Sequence, residues 1–366
     1  MNSLTKFITS LVIPCGVFLM SSLSTSESHS AEHVVYVSVG GESRIDVYKM
    51  NSKTGLLKKR SHVDLPGAPG SLSISTDGTK LYSALRSVKG VGTLSINGKT
   101  GDLKFISSTP VVDNPVYIIT EKTGKFLLTS YYGAGKAAVF PIQADGTIGK
   151  NASCIVETEK NPHSLQADRS NNFVYVPNTG SDSVLQYKLN KSDGTLTPLN
   201  PAKVSFPPLT GPRHFSFHPS NKFVYFVNEK GSSVTFCTLN SKTGQLEIQQ
   251  TISTLPKDFE GKNSTADIHV TPDGKYVYGS NRGHDSLAGY AIDQKTGMLT
   301  SLGQFPTEKT PREFDIDPTG RFVYSAGQGS GKMIAYKIQD NGHLKPLETY
   351  EVGKSPSWVL VAPVAK

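Results

Sequence analysis

The chain has 366 residues, of which 36% are hydrophobic and 19% are charged, a composition that supports a large buried core and argues against intrinsic disorder. The formal net charge is +8, but the basic residues are dispersed without a long basic run. This distribution argues against nucleic-acid binding and leaves an anionic small molecule as a compatible ligand.

The N-terminal segment has the pattern of a secretory signal peptide. Lys6 precedes an apolar run, FITSLVIPCGVFLM, and a Ser-rich stretch then ends near Ser30 or Ala31. A charged start, an apolar middle and small residues at the end are the order of a cleavable leader. We therefore predict that residues 1–31 are removed and that the mature domain, residues 32–366, is exported to the periplasm or the medium without stable membrane insertion. If the leader is not used, the protein is cytoplasmic.

Two cysteines, Cys154 and Cys237, follow the leader, each in a strand-like run, ASCIVE and VTFCTL. Two cysteines so far apart do not form the framework of a disulfide-rich domain. We expect two small buried side chains instead.

From residue 33 onward one pattern recurs along the chain. It consists of an apolar strand, a turn such as TPDGK or DPTGR, a strand such as FVY, a polar loop, a third strand, a turn T-G-x-L or D-G-x-L, and a more polar fourth strand. The glycines of the later turn recur at intervals of 45 to 53 residues: Gly55, Gly101, Gly146, Gly194, Gly244, Gly297 and Gly342. The second strands have anchors in the same number: Tyr36, Tyr82, Leu128, Tyr175, Tyr225, Tyr278 and Tyr324. Four strands per repeat, without an amphipathic helix pattern, predict an all-β, seven-bladed β-propeller.

The two ends of the repeat region predict how the ring closes. The pattern starts at a second strand, HVVYVS, and finishes on a first strand, SWVLVAP. The last strand should therefore complete the blade that the N-terminal strands begin, which leaves no open sheet edge.

The strand order predicts a charged rim at one end of the central channel. The first strand of each blade lines the channel, and the antiparallel second strand ends at the same face. Two sets of positions form this rim: those just after the start of each first strand and those just past each second strand. Most of the charged rim residues come from the fourth to sixth repeats. The rim contains Arg86, His163, Arg213, His214, Glu229, Asp267, Arg282, Arg312 and Glu313. Gln328 has the equivalent position in the last repeat.

The rim has a structural and a functional interpretation. Charges that line a propeller channel can be solvated ion pairs with no further role. Several arginines around one cavity repel one another, however, unless an anion binds between them, and the guanidinium fork suits a carboxylate or a phosphate. His163 and Glu229 are candidates for proton transfer.

Motifs for other kinds of chemistry are absent from the sequence, which contains no HExxH, paired CxxC, GxSxG, GxxxxGK[ST] or GxGxxG. His163, His214 and His269 lie on different blades and could surround a metal, but the neighbouring arginines would oppose a cation there. A single Trp and the lack of adjacent cysteines argue against a quinone cofactor. We predict a site without metal or cofactor.

Three segments resemble the seven-bladed lactonase family, which includes propeller-type 6-phosphogluconolactonases and the fungal carboxy-muconate cycloisomerase: GPRHFSFHPSNKFVYFVNE, ADIHVTPDGKYVYGSNRGHDS and TPREFDIDPTGRFVYSAGQ. The resemblance extends over essentially the whole mature chain and is strongest from residue 160 onward. SNRGHDS and PREF are not needed to build a blade, so they are more specific than the repeat itself.

The resemblance implies metal-independent hydrolysis of a sugar lactone by a 6-phosphogluconolactonase-like enzyme. By motif, the proposed site residues of the family correspond to His163 of NPHS, Arg213 of GPRH, Glu229 of VNE and Arg282 of SNRGHDS. Arg213 and Arg282, with Arg312, would hold the anionic group and polarise the carbonyl. Glu229 or His163 would be the base on the attacking water, and the other would protonate the leaving alkoxide. The remaining rim residues would bind substrate: Arg312, His214, Asp267, Glu313, Arg86 and Gln328.

Two alternative functions remain open at this point. One is a cycloisomerase-type lyase that uses the same rim. The other is an exported, non-catalytic propeller that binds a carbohydrate or a protein. The complete set of four family residues favours an enzyme, and we expect a monomer that binds a small anionic lactone.

Overall fold

The computed structural model describes residues 33–364, together with residues 1, 7 and 8. Residues 33–364 form 28 β-strands, arranged as seven antiparallel sheets of four strands. This confirms the seven-bladed propeller expected from the repeat. The predicted leader lies outside the described residues apart from positions 1, 7 and 8. Within the described part of the chain, no helix is long and apolar enough to cross a membrane.

The first four blades are bounded as follows. Blade 1 contains β1 (His33–Val39), β2 (Arg44–Met50), β3 (Leu57–Asp64) and, as its innermost strand, β28 (Pro356–Pro363). Blade 2 contains β4 (Pro69–Ile74), β5 (Lys80–Leu85), β6 (Gly90–Ile96) and β7 (Leu103–Pro110). Blade 3 contains β8 (Tyr117–Thr120), β9 (Phe126–Tyr131), β10 (Lys136–Pro141) and β11 (Cys154–Glu157). Blade 4 contains β12 (Gln166–Ala167), β13 (Phe173–Asn178), β14 (Ser183–Leu189) and β15 (Leu196–Ser205).

The other three blades are regular. Blade 5 contains β16 (Pro212–Phe217), β17 (Phe223–Asn228), β18 (Ser233–Leu239) and β19 (Leu246–Ser253). Blade 6 contains β20 (Ser264–Val270), β21 (Tyr276–Arg282), β22 (Ser286–Ile292) and β23 (Leu299–Pro306). Blade 7 contains β24 (Pro311–Ile316), β25 (Phe322–Gly327), β26 (Lys332–Ile338) and β27 (Leu344–Glu351). Two short 3-10 helices, Gly40–Glu42 and Arg86–Val88, follow β1 and β5.

The ring closes between the first and last strands, as the sequence predicts. β28 pairs antiparallel with β1, with Tyr36 opposite Leu360. The innermost strand of blade 1 therefore comes from the C-terminal end of the repeat region, and its other three strands come from the N-terminal end.

Burial explains why the strands of one blade differ in composition. The second strands are almost wholly buried, as in β9 and β17, because neighbouring blades cover both of their faces. The outermost strands alternate between inward and exposed residues, as in β19. Hydrophobic clusters fill the seven interfaces between adjacent blades. Cys237 lies in one of these clusters and Cys154 packs at the edge of another, both as free thiols.

A hydrogen bond that we call the tyrosine latch connects most neighbouring blades. The seven turn glycines have φ between 75° and 83°, a conformation that suits glycine because it has no Cβ. In six of the blades the second-strand tyrosine donates its hydroxyl proton, over 2.6–2.9 Å, to the carbonyl of the turn glycine in the next blade. Leu128 of blade 3 has no hydroxyl, so the interface between blades 3 and 4 lacks the latch.

Candidate active site

The innermost strands enter the channel from one face, which we call the mouth face. The register of β16 shifts around Arg213, which therefore has no partner in β17. Arg312 has the same place in β24. A bulge of this kind adds one residue to a strand and changes the direction of its side chain. The repeated bulge thus sets two arginines at the start of the channel.

The second strands deliver further side chains to the mouth face. Glu229 directly follows β17, Arg282 ends β21, and Arg86 begins the 3-10 helix after β5. His163 precedes β12, and its backbone N–H donates to the carbonyl of Pro177 over 3.0 Å. Together with Arg312 of blade 7, these residues bring side chains from five blades to one rim.

These residues surround a cavity of about 390 Å³, the mouth cavity. Its volume is in the range of small-ligand pockets. The lining residues are Arg86, Asp113, Asn114, Val116, Tyr132, Gly133, His163, Glu229, Arg282 and Arg312.

Glu229 is held between two arginines. Arg282 Nη2 donates to Glu229 Oε1 over 2.9 Å and to the carbonyl of Thr265 over 2.8 Å. Arg213 is fully buried, its Nε lies 3.3 Å from Glu229 Oε2, and its Nη1 donates to the carbonyl of Ala266. Burial would raise the pKa of Glu229, but the two guanidinium groups outweigh it and hold the pKa below its ordinary value. Glu229 is therefore a carboxylate at neutral pH.

His163 has a different environment. Its side chain makes no hydrogen bond to any of residues 33–364, and its Nδ1 is buried without a partner. The ring lies edge-on to Tyr132 at 5.6 Å and to His214 at 5.0 Å, measured between centroids. Burial, followed by the positive charge of Arg213, lowers the pKa of His163 well below its ordinary value. His163 is therefore a neutral imidazole with an unoccupied lone pair.

Below the mouth cavity, five side chains form what we call the channel plug: Tyr117, His214, Asp267, Glu313 and Trp358. Tyr117 lies edge-on to both His214 and Trp358, at 5.2 and 5.5 Å between centroids. His214 Nδ1 is 2.9 Å from Asp267 Oδ1 and 3.7 Å from Glu313 Oε2. Four residues of the plug, all except Glu313, line a second cavity of about 240 Å³, the lower chamber, whose other polar lining residues include Gln166, His269 and Asp315.

The two carboxyl groups of the plug differ in protonation. Burial and the nearby Asp267 raise the pKa of Glu313 well above its ordinary value. Burial acts in the same direction on Asp267, but His269 and His214 overcome it and hold the pKa of Asp267 well below its ordinary value. Burial would lower the pKa of His269, yet Asp267 and Asp315 raise it to about 9. Asp267 is thus the ionised member of the plug, and Glu313 is the protonated member.

Comparison with known proteins places this architecture in a family. The model of the family described as lactonase, seven-bladed β-propeller, matches residues 31–361. The chain belongs to this lactonase family. It is 33% identical over 331 residues to a 6-phosphogluconolactonase of Xenorhabdus nematophila, with 90% of this chain and 99% of that protein covered. It is 34% identical to a 6-phosphogluconolactonase of an Enterobacter species with the same coverage.

Solved structures agree with this assignment. A periplasmic gluconolactonase of Pseudomonas aeruginosa superposes with a TM-score of 0.84 and 26% identity, with 91% of this chain and 100% of that chain covered. A protein of Lactobacillus plantarum, with a TM-score of 0.81, 24% identity and the same coverage, has the same fold. The chain is a 6-phosphogluconolactonase-like lactonase, as the sequence segments suggested.

The lactonase brings only part of the predicted site to the mouth cavity. His163, Glu229, Arg282, Arg312 and Arg86 line it. The other predicted residues lie elsewhere, since Arg213 is buried behind Glu229 and three more belong to the channel plug: His214, Asp267 and Glu313. Gln328 lines a separate depression with Lys354 and Ser355 on the blade 7 side.

Besides Val116 and Gly133, three polar cavity residues of the lactonase were not among the predicted site residues. Tyr132 occupies the position just past the second strand of blade 3, equivalent to that of Glu229, so register could have identified it. Asp113 and Asn114 belong to the loop between β7 and β8, where no strand register applies. Loop residues of this kind carry no periodic signal in one sequence.

One group in the channel plug has ligand atoms close enough for a metal ion. Atoms of His214, Asp267 and Glu313 lie within 4.8 Å of one another. The nearest nitrogen and oxygen of His214 and Asp267 are already joined by a 2.9 Å contact, and Arg213 Nη2 lies 3.7 Å from Glu313 Oε1. A guanidinium at that distance opposes a second cation, so these residues do not fit a resident metal ion.

Proposed function

We propose that this lactonase hydrolyses a sugar lactone in the mouth cavity, with His163, Glu229 and Arg282 at the reacting end. The observation that supports this assignment is that a neutral, unbonded imidazole lines the same cavity as a carboxylate-bound guanidinium. The first can accept a proton from water, and the second can stabilise negative charge on a carbonyl oxygen.

Arg282 is the group that stabilises the oxyanion. Its Nη2 is fixed by Glu229 and by the carbonyl of Thr265, which sets the plane of the guanidinium and buries its Nε, while its Nη1 has no hydrogen-bond partner among residues 33–364. A donor fixed in advance costs little reorganisation when the lactone carbonyl gains negative charge.

His163 is the base in this proposal. Its neutral form accepts a proton from the attacking water as the new carbon–oxygen bond forms. The tetrahedral intermediate then collapses, the ring carbon–oxygen bond breaks, and the imidazolium returns the proton to the leaving oxygen. The products are the open hydroxy acid and, after its ionisation, one proton in solvent.

Glu229 and Arg213 position Arg282 rather than contact the reacting carbonyl. Glu229 accepts from Arg282 on one oxygen and faces Arg213 on the other. Arg213 is wholly buried, so it cannot touch substrate directly. This arrangement assigns different roles to two arginines that the sequence segments suggested were equivalent.

The test is a lactone panel assayed with the purified mature chain: 6-phosphogluconolactone, gluconolactone and a muconolactone. We expect His163→Asn to lower kcat about 10²- to 10⁴-fold and Arg282→Ala about 10²- to 10³-fold, because these are the usual contributions of a general base and an oxyanion donor. His62→Asn, on the outer strand β3, is the matched control. Unchanged rates in both site variants would contradict the assignment.

The panel also separates the alternative functions. Isomerisation of the muconolactone alone would indicate a cycloisomerase-type lyase. No turnover of any lactone by a folded, monodisperse sample would indicate a binding propeller. A monomer is expected, and light scattering on the same sample checks it.

We also propose that the chain is exported. The leader pattern of residues 1–31 supports this, and the family match begins at residue 31, where the leader is expected to end. A solved relative is described as periplasmic. Mass spectrometry of the protein from a periplasmic fraction should find an N-terminus near Ser30 or Ala31, whereas an intact Met1 in the cytoplasmic fraction would contradict export.

A further inference from the structure

The charges of the mouth cavity are not evenly paired. Glu229 faces both Arg282 and Arg213. Asp113 pairs with Lys89, outside the cavity lining, at 2.7 Å. Each carboxylate that lines the cavity therefore already has a cationic partner. Two arginines of the lining have no carboxylate partner.

Arg312 is the first of these arginines. Its guanidinium makes no hydrogen bond or ion pair with any residue in the described range 33–364. Its neighbour in sequence is the buried Glu313. Burial and the nearby Asp267 raise the pKa of Glu313, so this side chain stays protonated and does not neutralise Arg312. Arg312 thus presents a full positive charge and free donors to the cavity.

Arg86 is the second. Within residues 33–364 its guanidinium makes a single hydrogen bond, from Nε to Asn114 Oδ1 over 3.3 Å, and this neutral acceptor does not balance its charge. Gly70 makes room for its side chain, because a Cβ at that glycine would lie 2.8 Å from Arg86 Cδ. The backbone of blade 2 is therefore adapted to let this arginine cross the start of β4.

Blade order places these two arginines on a different arc of the ring from the reacting end. Arg312 comes from blade 7 and Arg86 from blade 2, so the pair flanks blade 1. The corresponding mouth positions of blade 1 are small, Gly40 and Ser357. His163, Glu229 and Arg282 come from blades 4 to 6, the adjoining arc of the ring, in which blade 6 is next to blade 7 and blade 4 is farthest from blade 1. The cavity therefore has a proton-transfer side and a cationic side.

We propose that Arg86 and Arg312 form an anion subsite that holds the phosphate of a phosphorylated sugar lactone, while the opposite side holds the lactone ring. Two guanidinium groups without carboxylate partners match the two charges and three oxygens of a phosphate monoester. Arg213 and Arg282 do not hold the anion in this arrangement, because Glu229 already engages them. This inference rests on the proposed function and adds which residues select the substrate.

The experiment compares Arg312→Gln and Arg86→Gln with the wild type on two lactones that differ only in the phosphate, 6-phosphogluconolactone and gluconolactone. Spontaneous hydrolysis is subtracted. Lys309→Gln is the matched control, because it removes a positive charge from an exposed residue of the mouth face outside the cavity lining. Calorimetric binding of 6-phosphogluconate, gluconate and glucarate is measured on the same four proteins.

We expect each cavity variant to raise KM for the phosphorylated lactone roughly 10- to 100-fold more than it raises KM for gluconolactone, because only the phosphorylated lactone loses a charge-assisted contact. The Lys309 variant should behave as the wild type. Equal losses on both lactones would overturn the subsite and leave the lactonase assignment standing. Glucarate binding as tight as that of 6-phosphogluconate would overturn the phosphate specificity and indicate a carboxylate ligand.

The binding data test the anion subsite independently of the proposed hydrolysis. If the wild type opens neither lactone, the proposed reaction fails, and calorimetry still decides the subsite. Binding of 6-phosphogluconate that both variants lose would support it. Binding that neither variant changes, or no binding by the wild type, would overturn it.

Discussion

The two carboxyl groups of the channel plug should respond in opposite ways when each loses its charge. Asp267 accepts hydrogen bonds from His214 Nδ1 and His269 Nε2, both at 2.9 Å, and from the backbone N–H of Phe314 at 3.3 Å. Glu313 has an Oε2 atom that is buried without a hydrogen-bond partner in the described structure. Asp267→Asn and Glu313→Gln change each group to a neutral amide of the same size.

The structure gives very different magnitudes for the two changes. An amide has one oxygen, so Asp267→Asn places an NH₂ group against a donor and removes at least one charge-assisted hydrogen bond. The expected loss in the free energy of unfolding is about 3 to 5 kcal/mol. Glu313→Gln replaces a group that is already neutral, so the expected change is within about 1 kcal/mol.

The assay is urea unfolding of the wild type and both single variants at neutral pH. The free energies of unfolding are compared with one common m-value, the slope of that free energy against urea concentration. Similar losses in the two variants, or a larger loss for Glu313→Gln, would refute the assignment of the proton to Glu313.

The pH dependence of stability provides a second check on the same assignment. The folded-state pKa of Glu313 is raised, so the wild type loses stability as pH rises from 4.5 towards that folded-state value. The free energy of unfolding of Glu313→Gln should therefore rise relative to that of the wild type over that pH range. The folded-state pKa of Asp267 is lowered, so its stabilisation is present above pH 3.8 and is lost as pH falls through the folded-state value. The difference in the free energy of unfolding between the wild type and Asp267→Asn should therefore become smaller in acid.

Other predictions concern the latch, the base and the metal question. Tyr225→Phe removes the 2.9 Å hydrogen bond to the Gly297 carbonyl and should cost about 1 to 3 kcal/mol in urea unfolding, whereas Tyr187→Phe, whose hydroxyl has no hydrogen-bond partner among residues 33–364, should cost much less. Equal costs would show that the latch does not stabilise the ring. Because the pKa of His163 is lowered, the acid limb of kcat/KM should lie below pH 6.5 in a pH–rate profile, and a limb above it would contradict His163 as the base. Dialysis against a chelator should leave activity within about twofold, and a loss restored by a divalent cation would indicate a metal at the channel plug.

Much of the fold could be predicted because each blade repeats the same local pattern. The seven turn glycines need a positive φ, and the strand anchors keep a fixed place in every repeat, so four strands could be assigned to each blade. Ring closure followed from the strand type at each end of the pattern. These features depend on local backbone geometry, which a single sequence records well.

The site was predicted less completely because register fixes the depth of a side chain only when the strand is regular. The bulges at Arg213 and Arg312 insert an extra residue, so the next residues, His214 and Glu313, lie below the rim rather than on it. Whether an arginine is free or paired also depends on other blades. Arg282 and Arg312 look equivalent in sequence, yet only Arg282 has a carboxylate partner.

The missing tyrosine latch leaves one interface of the ring, between blades 3 and 4, without its outer hydrogen bond. The hydrogen bonds between blades 4 and 5 include one from Asn221 Nδ2 to Asp168 Oδ2 on the inner side and a latch on the outer side. Between blades 3 and 4 the inner tie, from Asn171 to Glu121, is present without the outer one. On the mouth face the same two blades are joined by Asn161 Nδ2, which donates to the carbonyl of Tyr132 over 3.3 Å, and apolar packing fills the rest of the interface. Any opening motion of the ring should therefore concentrate at this interface, and it would first alter the contact between Tyr132 and the imidazole that we assign as the base.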